Sequence, residues 1–189
     1  MNTIKHLLKN PVTEADRQTG NPHARITLVE YGDYECPYCG VAHPLIKRLL
    51  NEMDGMIRFV FRNFPLQNVH PYSLPAALSA EAAAHQNRFW PMHDFIYEHQ
   101  EQMSNELFPW IAKRLKLDLQ LFQMDFNSRE IFDKVEADFQ SGLYSGVNGT
   151  PSFFINGVKA ELPDLSYEAL RDVIVKESEF MADPTGIRR

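Results

Sequence analysis

Ile26-Thr27-Leu28-Val29-Glu30-Tyr31, followed by Gly32-Asp33-Tyr34-Glu35 and Cys36-Pro37-Tyr38-Cys39, is the stretch that decides the fold of this 189-residue chain. β-Branched and apolar residues dominate Arg25 to Tyr31, and Gly32-Asp33 closes the run. It therefore reads as a strand, mostly apolar on both faces and so central in a sheet. The chain's two cysteines follow at once, three positions apart, where a helix opens. A strand running into Cys-x-x-Cys at a helix start is the arrangement that makes one sulfur a nucleophile and its neighbour a resolving group. With two cysteines in all, no wider disulfide framework exists, and a bridge closing so short a loop would add little stability. Chemistry explains the pair better than stapling.

Outward from this stretch, Leu45, Ile46, Leu49, Leu50 and Met53 recur at helical spacing until Asp54-Gly55, with a kink expected at Pro44. Met56 to Phe64 alternates as a second strand, returning beside the first through a right-handed crossover. From Pro65 to about Tyr144 the pattern is helical only, over Ser73 to Gln86, Phe89 to Gln100, Glu106 to Leu117 and Arg129 to Leu143. Strand signal resumes at Ser152 to Ile155, turns at the hairpin dipeptide Asn156-Gly157 and continues from Val158 to Leu162. A closing helix is capped by Ser166 and buries Tyr167, Leu170, Val173, Ile174 and Met181. Strand-helix-strand followed by hairpin-helix is the order of an α/β, thioredoxin-like fold, a mixed central sheet flanked by helices. Residues 12–66 and 145–189 read as that unit, and 67–144 as an all-helical insertion.

Composition sets the outer bounds. With 44% hydrophobic residues the chain fills a core without cross-links, and its net charge of −6 and lack of long Lys/Arg runs argue against nucleic acid. No segment approaches the roughly 20 apolar residues that span a bilayer. Met1 to Asn10 lacks the apolar stretch and cleavage site of an export signal, so the expected location is the cytoplasm, or the periplasm had a leader been removed. No heptad or isolated amphipathic arm suggests assembly, and the expectation is a monomer.

An unperturbed cysteine, with a pKa of about 8.5, is only about 3% thiolate at pH 7. Cys36 at the N-cap, with Pro37 at the first helical position, places the unpaired amides of the first turn at its sulfur and favours the anion. Cys36 is thus the expected attacking thiolate. Cys39, one turn deeper, suits attack on a mixed disulfide already formed. Pro37 and Tyr38 tune both thiolate pKa and reduction potential, and Tyr38 shapes the rim for substrate. Gly149-Thr150-Pro151, just before the hairpin, is read as carrying a cis Thr150-Pro151 bond, against the ordinary trans proline of a strand start. The backbone of Thr150 would then pair with an extended substrate segment. Glu30 has two readings. Beneath the helix its pKa would be raised and it would accept the Cys39 proton; at an edge it would simply reach solvent.

Three runs, Val29 to Gly40, Arg58 to Leu66 and Gly146 to Gly157, together resemble the DsbA-like thioredoxin-fold oxidoreductases, over about Pro11 to Glu179. The resemblance implies that Cys36 is the nucleophile, Cys39 the resolving residue, Pro151 the cis-proline, Thr150 the variable residue before it, and Glu30 the buried acid. It also implies a protein disulfide oxidoreductase acting on protein or peptide thiols and disulfides by mixed-disulfide exchange. A separate partner would recycle the enzyme, and no organic cofactor is needed. Many members are exported oxidants, so the missing signal leaves oxidase, reductase and isomerase directions open. Cys-Pro-Tyr-Cys is also the glutaredoxin tetrapeptide, which keeps a glutathione-coupled reductase as a rival, with glutathione as co-substrate. A non-catalytic binding module or holdase gripping partners with the insertion is a second rival, and a metal carrier a third.

Other residues receive the plainer reading. His43 lacks an evident fourth ligand to complete a site with the cysteines, and helix histidines are usually solvated, so no metal is expected. Phe64, His70, Phe89, Trp90 and Trp110 are read as packing core rather than a peptide groove. Asp33 and Glu35 beside Cys36 could oppose thiolate formation; if solvated, they would be screened and weak.

Overall fold

The computed structural model describes residues 6–182; Met1 to Lys5, residues 183–189 and the Met181 side chain fall outside what is described. Strand β2 (Ile26–Gly32) is central, with β3 (Ile57–Asn63) parallel on one side and β4 (Ser152–Ile155) antiparallel on the other. Between β2 and β3 the chain crosses through helix α1 (Pro37–Glu52), which continues past Pro44. The short strand β5 (Val158–Lys159) pairs with β4, and the hairpin turn places Asn156 and Gly157 at positive φ. Val158 to Leu162 was expected as strand, but the ladder ends at Lys159, and only the Ala160 N–H adds a bond to the Phe153 carbonyl.

The far edge holds a further strand, β1 (Arg17–Gly20), which runs antiparallel to β3. Its residues lack apolar alternation. Two contacts anchor it instead, Arg17 in an ion pair with buried Glu81 and the Gln18 backbone carbonyl accepting from the Trp90 indole.

Two-residue alternation divides the core. Leu28, Phe59 and Phe61 pack with Ala42, Ile46 and Leu49 of α1 and with Leu170 and Ile174 of α7 (Tyr167–Ala182). Ser166 caps α7 through the Ala169 N–H. On the opposite face Val29, Tyr31, Val60 and Phe154 meet Phe139 of α6 (Arg129–Tyr144). The last helix of the expected insertion is therefore the second layer over the sheet. Its other helices are α2 (Ser73–Ala84), α3 (Phe89–Glu98), α4 (Leu107–Arg114) and α5 (Leu119–Phe126). Asp118 caps α5 by accepting from the Gln120 and Leu121 N–H groups, a signal present in the sequence but not read there. Phe64 and Phe89 are core as expected, but Trp110 is 44% exposed, because α4 buries Leu107, Phe108, Ile111 and Ala112 on its other side. No helix among the described residues is long and apolar enough to cross a membrane.

Candidate active site

Period-two alternation puts Glu30 in step with Leu28, on the face covered by α1, and it is buried there. Cys36 is the N-cap of α1 with Pro37 at the first position; both cysteines are free thiols, Cys39 fully buried and Cys36 nearly so. The Thr150–Pro151 bond is cis, and the Cys36 thiol donates to the Thr150 carbonyl at 3.3 Å. Tyr38 stands 67% exposed at the rim. It borders a groove of about 350 Å³ lined also by Thr150, Pro151, Phe153, Leu162 and Leu165. The structure thus brings Cys36, Cys39, Glu30, Pro37, Tyr38, Thr150 and Pro151 to one place.

Charge follows from this packing. The Cys36 pKa is lowered to about 5, first by hydrogen bonding from the Cys39 thiol, against burial, then by Thr150 and the amides of Cys39 and Tyr38. The helix amides that dominate the sequence argument are thus secondary to the partner sulfur. Cys39 moves the other way. Burial, its donation to Cys36 and the charges of Glu30 and Cys36 push its pKa well above the ordinary thiol value, with the Asp33 N–H at 3.4 Å as a counterweight. Burial, helped by the Cys36 charge, raises Glu30 to about 8, so at neutral pH it carries a proton.

The condition of solvation is not met at Asp33 and Glu35. Asp33 is 1% exposed and accepts from the Glu35 and Leu66 N–H groups and from His70 Nδ1 at 2.8 Å. Glu35 is half-buried and accepts from the Tyr72 N–H. Both carboxylates brace the turn before Cys36 instead of facing its sulfur. His43 is likewise buried: its Nε2 donates to Asp94 at 2.9 Å and its ring stacks on Tyr97. His43, His93 and Asp94 bring three potential ligand atoms within 4.8 Å of one another. Asp94, however, already accepts from His43 and from the Lys47 ammonium, which hold its pKa at about 2 against burial. The local cation is Lys47.

The insertion contributes residues that the motif does not announce. Gln100 Nε2 donates to the carbonyls of Tyr34 and Cys36, at 2.8 and 2.9 Å, spanning the active-site turn. A Cβ on Gly40 would lie 2.3 Å from Gln100 Oε1, so the glycine after Cys39 clears space for this brace. The available sequence hint was Gly40 itself, a glycine in the first turn of a helix. Gly40→Ala is expected to dislodge Gln100 and cost about 1–2 kcal/mol in urea unfolding, because the Tyr34 carbonyl loses its partner while the Cys36 carbonyl keeps the N–H of residue 40. Gly40→Ala combined with Gln100→Ala should cost no more than the larger single effect.

A family model described as "Thioredoxin" matches residues 12–176. The Na(+)/H(+) antiporter NhaA 3 of Salinispora tropica is 40% identical over 162 residues, which is 86% of this chain but 24% of that protein. The chain spans about a quarter of the length of the curated relatives it matches. Among solved structures, a thioredoxin-like oxidoreductase from Silicibacter pomeroyi DSS-3 superposes with a TM-score of 0.74 at 27% identity, covering 87% of this chain and 92% of that one. The thiol-disulfide exchange protein alpha-DsbA2 of Wolbachia pipientis superposes at 0.73 and 25% identity, covering 86% and 87%.

Proposed function

The chain belongs to the thioredoxin family, among its DsbA-like members, and from that premise we propose that it exchanges disulfides with protein or peptide thiols, with a net bias toward oxidising them. The observation that carries the reading is the opposed pair of sulfurs, Cys36 with its pKa lowered to about 5 beside Cys39 with its own raised.

In the oxidised enzyme a substrate thiolate attacks Cys36 Sγ. The Cys36–Cys39 bond breaks, the substrate–Cys36 disulfide forms, and Cys39 leaves with the electron pair. Glu30, protonated at neutral pH, is placed to supply the proton that Cys39 takes up. A second substrate thiolate attacks the substrate sulfur of the mixed disulfide and expels Cys36, a good leaving group because its thiolate is stabilised. Two substrate thiols become one disulfide, and the enzyme's disulfide becomes a dithiol. The Thr150 carbonyl and the groove beside Tyr38 would align an extended substrate for the first attack. A recycling partner must then remove two electrons; where a reductant supplies two electrons instead, the same chemistry runs as reduction, and with neither it runs only as redox-neutral isomerisation.

A stabilised Cys36 thiolate favours the reduced enzyme and so raises the potential. Relatives whose nucleophile pKa values are about 7 and 3.5 have potentials of about −270 and −120 mV, and a pKa near 5 falls at about −180 mV between them. Equilibration with glutathione redox buffers, read by mass after acid quench and alkylation, is expected to give a midpoint near that value. A midpoint at or below about −270 mV would replace the oxidising bias with a reducing one.

A further inference from the structure

One backbone group touches the buried sulfur and has no other acceptor among the described residues. The Asp33 N–H, just past the end of β2, donates to Cys39 Sγ at 3.4 Å. Buried backbone donors are almost always matched to oxygen, and a neutral thiol is a poor substitute. In the dithiol form Cys39 is neutral, since burial and its neighbours push its pKa well above the ordinary thiol value. The N–H is therefore under-satisfied before reaction.

Its aim is fixed by the side chain of the same residue. Asp33 is 1% exposed, and its carboxylate oxygens are divided between three donors. Oδ1 accepts from the Glu35 N–H at 2.8 Å; Oδ2 accepts from the Leu66 N–H at 2.9 Å and from His70 Nδ1 at 2.8 Å. The Asp33 carbonyl accepts from the Cys36 N–H at 3.2 Å, closing the turn. A turn aspartate needs only the local bond to Glu35. The two bonds to the segment after β3 pin the peptide from outside the turn. Cys39 is fully buried in the first turn of α1, which leaves its sulfur little room to escape this contact as the redox state changes.

Opening the active-site disulfide changes what the donor meets. A thiolate attacks Cys36 Sγ, the new S–S bond forms, the Cys36–Cys39 bond breaks, and the electron pair stays on Cys39 until its proton arrives. We infer that the Asp33 backbone N–H is a catalytic donor to the charge developing on Cys39 Sγ, with the Asp33 carboxylate and His70 as the positioning groups that hold it on the sulfur. A dipole aimed in advance gains strength only as charge forms, so it favours the transition state over the ground state. By reversibility the same contact assists Cys39 when it attacks a mixed disulfide. This inference rests on the exchange mechanism proposed above.

The test replaces that one N–H by an ester oxygen. Cys36 offers the ligation point: a synthetic 1–35 fragment with malic acid in place of Asp33, joined to residues 36–189, gives the full chain with the carboxylate intact. The readout is the second-order rate at which glutathione opens the oxidised protein, measured by acid quench at pH 7. That rate is expected to fall about tenfold, one hydrogen bond to a charged group. In a Cys39→Ser background dithiothreitol displaces glutathione from Cys36 without any part for Cys39, and the ester should leave that rate unchanged. A matching fall there would mean a loosened turn and defeat the inference. Asp33→Asn tests the clamp by sign. Its single oxygen cannot serve both the Glu35 and the Leu66 N–H groups, so opening should slow, whereas removing a negative charge beside a developing anion would by itself quicken it. Opening that is unchanged or faster in either protein would overturn the inference. If glutathione fails to open the wild-type disulfide, the exchange reading itself is what falls.

Discussion

Cys36→Ser is expected to bring disulfide exchange down to the uncatalysed background in insulin reduction with dithiothreitol and in oxidation of a dithiol peptide alike. Serine cannot form the mixed disulfide, and the remaining sulfur cannot take its place. Cys39 is fully buried, its pKa is raised, and at neutral pH it has a protonated Glu30 beneath it. A thiol that is neither ionised nor reachable is not a nucleophile. Cys39→Ser separates the two roles. It keeps the Cys36 thiolate, so it should capture substrates and then stall, leaving covalent adducts visible on non-reducing gels. Retained turnover in Cys36→Ser would sink the catalytic reading and favour a binding module whose helices carry the function.

The second large effect is a pH dependence that differs between the two redox forms. In the reduced folded protein Cys36 loses its proton near pH 5, whereas in the unfolded chain it does so near its ordinary value, about 8.5. A depressed thiol contributes stability that is complete above the unfolded pKa and is lost as pH falls through the folded one. The oxidised protein has no such thiol, and the small loop-closure effect of its short bridge does not depend on pH. Urea unfolding of both forms should therefore show the reduced form gaining on the oxidised by about 2 kcal/mol between pH 4.5 and 7, after allowance for solvent screening at the rim. The gain should continue toward pH 8.5.

Glu30 acts in the opposite sense. Its raised pKa means that between about pH 4.5 and 8 the unfolded chain releases a proton that the folded chain keeps, so stability falls as pH rises. Glu30→Gln should flatten that decline in both redox forms and leave the difference attributable to Cys36. A reduced-minus-oxidised difference that does not change with pH would mean that Cys36 is an ordinary thiol.

What could be read from residues alone was local and periodic. The β2 run, the Cys-x-x-Cys at a helix start and the Asn156-Gly157 turn each carry their meaning within a few positions. The fate of Glu30 was undecided in the sequence because a strand residue can face either way; its register beside Leu28 and under α1 settles its burial. Residues that act across distance were missed. Asp33 looks like a turn acid, and its burial depends on His70 and the Leu66 N–H, more than thirty positions away. Gln100 lies in the insertion, where polar residues at helical spacing are indistinguishable from surface. β1 escaped notice because its evidence is backbone pairing and one ion pair, neither of which leaves a hydrophobic pattern.

The amide of Gln100 ties the sulfur-bearing turn to the inserted helices, since one side-chain nitrogen holds two carbonyls on either side of the nucleophile's own peptide. Trimming the chain to a minimal redox module would preserve every residue of the motif and yet untether the loop that carries it. For anyone seeking to transplant this dithiol into another scaffold, the portable unit is the motif together with its distant clasp.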